Sequence, residues 1–131
     1  MKELESLSRD DFPTRIFHIP DIHKYCNTEA KKTIFCETDF IACAVWCMHP
    51  GQELPIHSHK AADDIWVVLK GQADYFPETG KKVLIKAGDI IVARPGEKHG
   101  MKNNYDEDFL MLGFAGPVPI GFIPEKLYED E

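Results

Sequence analysis

Four side chains in this sequence have the types and spacing of a metal site. One residue separates His57 from His59, Asp64 comes five positions after His59, and His99 follows the turn sequence Pro95-Gly96. Residues two apart on a strand point to the same face, so His57 and His59 can present two imidazoles side by side. A nearby carboxylate and a third imidazole from another strand would complete a ligand set for a divalent transition metal. Such a metal would polarise a bound oxygen or activate a water molecule.

Glycines bracket both histidine segments and an asparagine closes the second: Gly51, Gly71, Gly88, Gly96 and Asn103. In this order the residues resemble the two motifs of the cupin superfamily, G-x5-H-x-H-x3-4-E-x6-G and G-x5-P-x-G-x2-H-x3-N. The motifs match residues 51–103, and flanking strands would extend the likeness to most of the chain. The resemblance implies an all-β, single-domain double-stranded β-helix, or jelly-roll barrel.

Two positions depart from the motifs. Asp64 stands where the family has glutamate, and Arg94 stands where the family has proline, with Pro95 one residue later. Because Asp is one methylene shorter than Glu, two alternatives remain open for Asp64. Either it binds the metal directly, or it accepts a hydrogen bond from a metal-bound water or a ligand imidazole.

We therefore expect one divalent transition metal, Fe, Mn, Ni, Cu or Zn, held by His57, His59 and His99 with Asp64 as the fourth candidate ligand. The fold alone does not assign the chemistry, because function belongs to the site. Our leading hypothesis is a small metalloenzyme that acts on an oxygen-rich small molecule, as a lyase, isomerase, decarboxylase or dioxygenase. The alternative is a non-catalytic protein that binds a sugar or organic acid in the same pocket.

Four further residues are candidates for the substrate pocket. The two-residue period of a strand places Trp66 on the face of Asp64, as a pocket wall or an ordinary core residue, and directs Met101 inward after His99. Trp46 would line the pocket from a neighbouring strand. Arg94 would either hold a carboxylate or phosphate at the pocket mouth or belong to a solvated loop. No motif identifies a catalytic acid or base.

The elements that must position these side chains are strands. From residue 33 onwards the sequence alternates runs rich in β-branched and aromatic residues with turn formers, typical of an antiparallel barrel or sandwich. We assign residues 33–116 to the barrel. Residues 1–32, with Pro13 and Pro20, are expected to form an edge strand or a lid packed on it. Residues 117–131, with three prolines, are expected to form an extended arm on a hydrophobic surface.

Composition narrows the classes of partner. The chain has 131 residues, enough for one domain with its own core, and a net charge of −7 argues against nucleic acid or an anionic membrane surface as a partner. No apolar run approaches the ~20 residues of a membrane span, and the N-terminal residues lack a signal-peptide core, so we expect a cytoplasmic protein. Cys43 and Cys47 are expected to be small buried side chains. The resemblance also implies a homodimer, formed through a sheet edge or exchanged terminal strands.

Overall fold

The computed structural model describes residues 3–125, in which the chain forms ten strands, one short α-helix and one 3-10 turn. The expected segments 1–32 and 117–131 extend beyond this range, and their residues 1–2 and 126–131 lie outside the described residues. The strands, in chain order, are β1 (Lys31–Glu37), β2 (Ala42–Met48), β3 (Glu53–Ser58), β4 (Asp63–Lys70), β5 (Gln72–Glu78), β6 (Lys81–Lys86), β7 (Ile90–Ala93), β8 (His99–Lys102), β9 (Phe109–Gly116) and β10 (Ile123–Pro124).

The strands form two antiparallel sheets. One has the order β1-β2-β9-β4-β7 and the other the order β10-β3-β8-β5-β6. Inward side chains of both sheets meet in the main core, where Trp66, Met101 and Phe109 are at most 1% exposed. Sheets buried on one face and solvated on the other produce the alternating pattern of the sequence. The all-β jelly-roll fold is thus confirmed.

The N-terminal segment covers part of the outer face of the first sheet. It contains a 3-10 turn (Arg9–Asp11) and α1 (Ile19–Ile22), with Pro20 in the first helical turn, and the described part of it has no strand before β1. Ile19 and Tyr25 pack against Val45 and Leu110, and the Tyr25 hydroxyl donates a hydrogen bond to the Phe109 carbonyl. This burial accounts for the apolar residues on both faces of β2.

One strand begins earlier than the sequence pattern indicates. We expected a strand to begin at His57, but β3 runs Glu53–Ser58 and ends there, so that expectation was wrong. The preceding turn is complete at Gln52, whose amide donates to the His49 carbonyl. Pro55 fits inside the strand because the pairing with β8 is irregular between Leu54 and His57.

Within the described residues, no helix has the length and apolarity needed to cross a bilayer.

Candidate metal centre

The four side chains expected to bind metal come together in the structure. One candidate ligand atom from each of His57, His59, Asp64 and His99 lies within 4.8 Å of the other three. All four residues are buried, with relative exposures between 1% and 7%. Burying so many polar groups together is costly unless they are paired or bind an ion.

Both sheets contribute to the cluster. His57, near the end of β3, pairs in register with His99 at the start of β8, and their ring centroids are 4.1 Å apart. His59 follows directly after β3. Asp64 lies on β4 of the opposite sheet, on the same face as Trp66. The centre therefore lies between the sheets, at the end of β3 and the starts of β4 and β8.

Hydrogen bonds to backbone carbonyls orient the three imidazoles. The Nδ1 atom of His57 lies 2.8 Å from the Pro55 carbonyl oxygen, and that of His59 lies 2.6 Å from the Gly121 carbonyl oxygen. The Nδ1 atom of His99 lies 3.2 Å from the carbonyl oxygen of Glu97. A carbonyl can only accept, so each Nδ1 carries a proton. In a neutral ring the Nε2 atom is then left with a lone pair, which is the form that binds metal.

The lone pairs face another acceptor. Oδ2 of Asp64 lies 3.2 Å from Nε2 of His59 and 3.4 Å from Nε2 of His99. The His99 Nε2 atom has no hydrogen-bond partner among the described residues. Acceptors held this close in a buried space need a cation, or a second proton on an imidazole, between them. Imidazole nitrogens with a carboxylate suit divalent transition metals, so this cluster fits and could hold a metal ion.

Burial also keeps His57 in its neutral form. Desolvation lowers the pKa of His57 to about 4, with smaller lowering effects from His99 and His59. The hydrogen bond to the Pro55 carbonyl and the charge of Asp64 oppose this shift. His57 is consequently neutral at neutral pH, with its one ring proton on Nδ1, and it loses no proton when Nε2 binds metal.

A cavity of about 280 Å³ opens beside the cluster. Three of the four cluster residues line it: His57, His59 and Asp64. The remaining lining residues are Lys32, Ala42, Ala44, Trp46, Leu54, Trp66, Gly113, Ala115, Ile120, Gly121 and Phe122. An apolar cavity with a few convergent polar groups is typical of a small-molecule site.

The four expected pocket residues lie in different places. Trp66 belongs to the main core, where it is 1% exposed, and it also lines the cavity. Its ring centroid lies 4.8 Å from that of His99. Trp46 also lines the cavity. Met101 is fully buried in the main core and is not among the lining residues, and Arg94 is exposed outside the cavity. After the turn that precedes His99, the inward face of β8 packs against the core, which explains the position of Met101.

Lys32, Leu54 and two further groups of lining residues were missed in the sequence. Small residues on β2 and β9, such as Ala44 and Gly113, leave the space that the cavity occupies, and a β-carbon on Gly113 would lie 2.9 Å from Trp66. The alternation of Ala42, Ala44 and Trp46 along one strand is a signal that could have found the first of them. The second group, Ile120 to Phe122, comes from the expected C-terminal arm, and no sequence pattern connects it with the histidines.

This chain matches one protein-family model and is similar to several known proteins. A family model described as a cupin domain matches residues 44–114. The crystal structure of an uncharacterized conserved protein with a double-stranded β-helix domain from Klebsiella pneumoniae is 36% identical, with a TM-score of 0.81. That alignment covers 86% of this chain and 98% of the Klebsiella chain.

Two Thermotoga maritima proteins are also similar. An oxalate-binding protein is 38% identical over 65 residues, which are 48% of this chain and 53% of that protein, so the chain spans about half the length of this curated relative. The structure of a predicted oxalate decarboxylase is 19% identical with a TM-score of 0.65, covering 79% of this chain and 99% of the other. At that identity the second likeness concerns the fold alone.

Proposed function

The chain belongs to the cupin family, and on that basis we propose that it is a metal-dependent enzyme acting on an oxygen-rich small molecule that carries a carboxylate. The observation that supports this most is the convergence of His57, His59, Asp64 and His99 within 4.8 Å beside a cavity of about 280 Å³. A bound divalent metal supplies Lewis-acid polarisation of a substrate oxygen or an activated water. Lyase, isomerase, decarboxylase and dioxygenase reactions all remain within this proposal.

The preference for a carboxylate rests on Lys32. Its side chain lines the cavity, and its Nζ atom lies 5.7 Å from the centre of the Trp46 ring. Lys32 is the only basic side chain other than the histidines among the described lining residues. An ammonium group beside an apolar wall attracts an anion while the wall accepts the rest of the molecule. The likeness to a protein named for binding oxalate supports the same class of ligand.

A second candidate function is binding without turnover. Among the described lining residues, the ionisable groups are Lys32 and the cluster residues His57, His59 and Asp64. Apart from Lys32, the described lining residues offer no general acid or base outside the metal cluster, whereas many enzymes place one within hydrogen-bond reach of the substrate. This feature favours a protein that captures an organic acid on its metal.

The first experiment tests the metal site. Elemental analysis after loading with Fe(II), Mn(II), Ni(II), Cu(II) or Zn(II) should find about one metal per chain in the wild type and almost none in a His57→Ala/His59→Ala variant. A His18→Ala/His23→Ala variant removes two imidazoles outside the cluster and should bind as the wild type does. Full metal content in the first variant, correctly folded, would refute the site.

The second experiment tests the ligand. Calorimetric titration of the metal-loaded protein with oxalate and other small carboxylates should give saturable binding, and a neutral sugar should give much weaker binding. Lys32→Met should weaken carboxylate binding, whereas Lys31→Met, whose side chain alternates to the other face of β1, should not. Equal effects of the two variants would exclude Lys32 as the anion-binding group.

Turnover separates the two candidate functions. Product analysis is run with each metal, with and without oxygen, on every compound that binds. Oxygen-dependent conversion indicates a dioxygenase or an oxidase, and oxygen-independent conversion indicates a lyase, isomerase or decarboxylase. Tight metal-dependent binding of a carboxylate with no conversion under any of these conditions establishes the binding protein instead.

A further inference from the structure

The C-terminal segment 117–125 returns from the first sheet to the candidate metal centre. It begins where the Val118 amide donates to the Phe40 carbonyl, 3.2 Å away, beside the end of β9. It ends as β10, which pairs antiparallel with β3, with Ile123 opposite Ser58 and Pro124 opposite His57. The segment is therefore attached at both ends and lies across the cavity between them.

Between these attachments the segment touches two of the four cluster residues. The Gly121 carbonyl oxygen lies 2.6 Å from Nδ1 of His59, the shortest of the three carbonyl–imidazole contacts. The Phe122 ring stacks on the His57 ring, with centroids 4.6 Å apart and planes inclined by 24°. Ile120, Gly121 and Phe122 all line the cavity.

Three polar contacts of Glu125 hold the end of the segment in place. The Glu125 carboxylate accepts hydrogen bonds from Lys98 Nζ, at 2.6 Å, and from the Thr79 hydroxyl. The backbone N–H of Glu125 donates to the Ile56 carbonyl. Lys98 directly precedes His99 in the chain. Glu125, which anchors the segment, therefore binds the residue next to His99, a third histidine of the cluster.

We propose that segment 117–125 is part of the metal site, and that the Gly121 carbonyl holds His59 in the tautomer whose Nε2 faces the metal position. A metal-binding histidine usually donates its other ring N–H to an acceptor, which fixes the ring and its tautomer. His57 and His99 obtain that acceptor from residues two positions earlier in the chain, Pro55 and Glu97. His59 obtains it from a residue 62 positions away, so its orientation depends on the C-terminal segment.

The conformation of Gly121 gives a way to test this. Its φ is +70°, and a β-carbon placed on it would meet nothing within 4 Å. A larger residue is thus resisted by the backbone conformation and not by crowding. Valine strongly disfavours positive φ, whereas asparagine tolerates it. Gly121→Val should move the carbonyl away from His59, and Gly121→Asn should leave it in place.

The inference rests on the proposed metal site, and two measurements keep the two claims apart. The first is metal affinity by competition with a chelator: Gly121→Val should bind on the order of 10–100-fold more weakly than the wild type, and Gly121→Asn should stay close to it. Gly88→Val is the matched control, because Gly88 also has positive φ and open space but lies in the turn between β6 and β7. It should lose stability without a comparable loss of metal affinity.

The second measurement needs no metal. Long-range nitrogen–proton NMR of the metal-free wild type should find His59 protonated at Nδ1, and a mixture of tautomers in Gly121→Val. A wild-type His59 protonated at Nε2 alone would overturn the inference, even if the valine variant failed to fold. Unchanged metal affinity in Gly121→Val, or an equal loss in Gly88→Val, would also overturn it. If the wild type binds none of the five metals, the proposed function fails, while the tautomer of His59 still decides this inference.

Discussion

The Nε2 atom of His99 lies 3.4 Å from Oδ2 of Asp64, and neither atom has a proton to offer when the imidazole is neutral. The His99 Nδ1 proton is directed to the Glu97 carbonyl, which leaves Nε2 as an acceptor without a partner among the described residues. Such a pair destabilises the metal-free protein and becomes favourable once a cation lies between the two atoms. Metal affinity and metal-free stability should therefore respond in opposite directions to changes here.

Replacing Asp64 by asparagine tests this opposition. The amide of the introduced asparagine can donate a hydrogen bond to His99 Nε2. Asp64→Asn should therefore raise the free energy of unfolding of the metal-free protein, measured in urea, by about 1 kcal/mol. The same change should weaken metal binding on the order of 10–100-fold, whether the carboxylate binds the metal or a ligand imidazole. Asp63→Asn removes the same charge from the exposed neighbouring position and should change neither quantity. If Asp64→Asn leaves the metal affinity unchanged, the carboxylate takes no part in the site.

The pH dependence of the metal-free protein should reveal the burial of His57. Its pKa is lowered to about 4, below the usual value of about 6.5 that applies when the chain is unfolded. Between these values the unfolded chain binds a proton at His57 that the folded protein does not. The contribution of His57 should thus lower the free energy of unfolding as pH falls from about 6.5 to about 4, with no effect above that window.

Proton NMR titration of the metal-free protein checks the His57 assignment directly. We expect its ring resonances to shift near pH 4, and His57→Gln to flatten the stability profile between about pH 4 and 6.5. Titration near the ordinary histidine value would contradict the burial of this ring as the structure has it.

Met101 and Trp46 should behave differently when truncated. Met101 is fully buried in the main core, so Met101→Ala should lower the free energy of unfolding by roughly 2–5 kcal/mol while leaving the ligand dissociation constant near the wild-type value. Trp46 lines the cavity, so Trp46→Ala should weaken ligand binding in addition to any cost in stability. Urea unfolding and calorimetry on both variants make the comparison. A Met101→Ala variant that folds well and binds ligand poorly would show that Met101 contributes to ligand binding.

The fold and the convergence of the four polar residues could be predicted from the sequence. One residue separates His57 from His59, and the glycine-bounded segments around Asp64 and His99 keep the spacing of two known motifs. Spacing between residues that are close in the chain can be read directly from the sequence. The cluster that the structure brings together is the expected one, while binding of a metal, the homodimer and the cytoplasmic location stay predictions.

The role of the C-terminal segment could not be predicted in this way. Every residue has a backbone carbonyl, so nothing in the sequence marks the one at Gly121 as the partner of His59. The same holds for Met101, whose direction depends on how β8 leaves the turn that precedes His99. Arg94 lies outside the cavity because the turn residues from Arg94 to Lys98 are all exposed. Contacts between distant segments are fixed only by tertiary packing.

The pairing of His57 with His99 has a consequence for folding kinetics. These two residues are 42 positions apart, and they become neighbours only when β3 has paired with β8. Contacts between residues so distant in sequence close large loops and commonly form late in folding. A metal that needs both imidazoles then binds only chains that are nearly native. Saturating metal should accordingly slow unfolding in stopped-flow measurements and leave the refolding rate almost unchanged. Faster refolding with metal would place the β3–β8 pairing in the transition state instead.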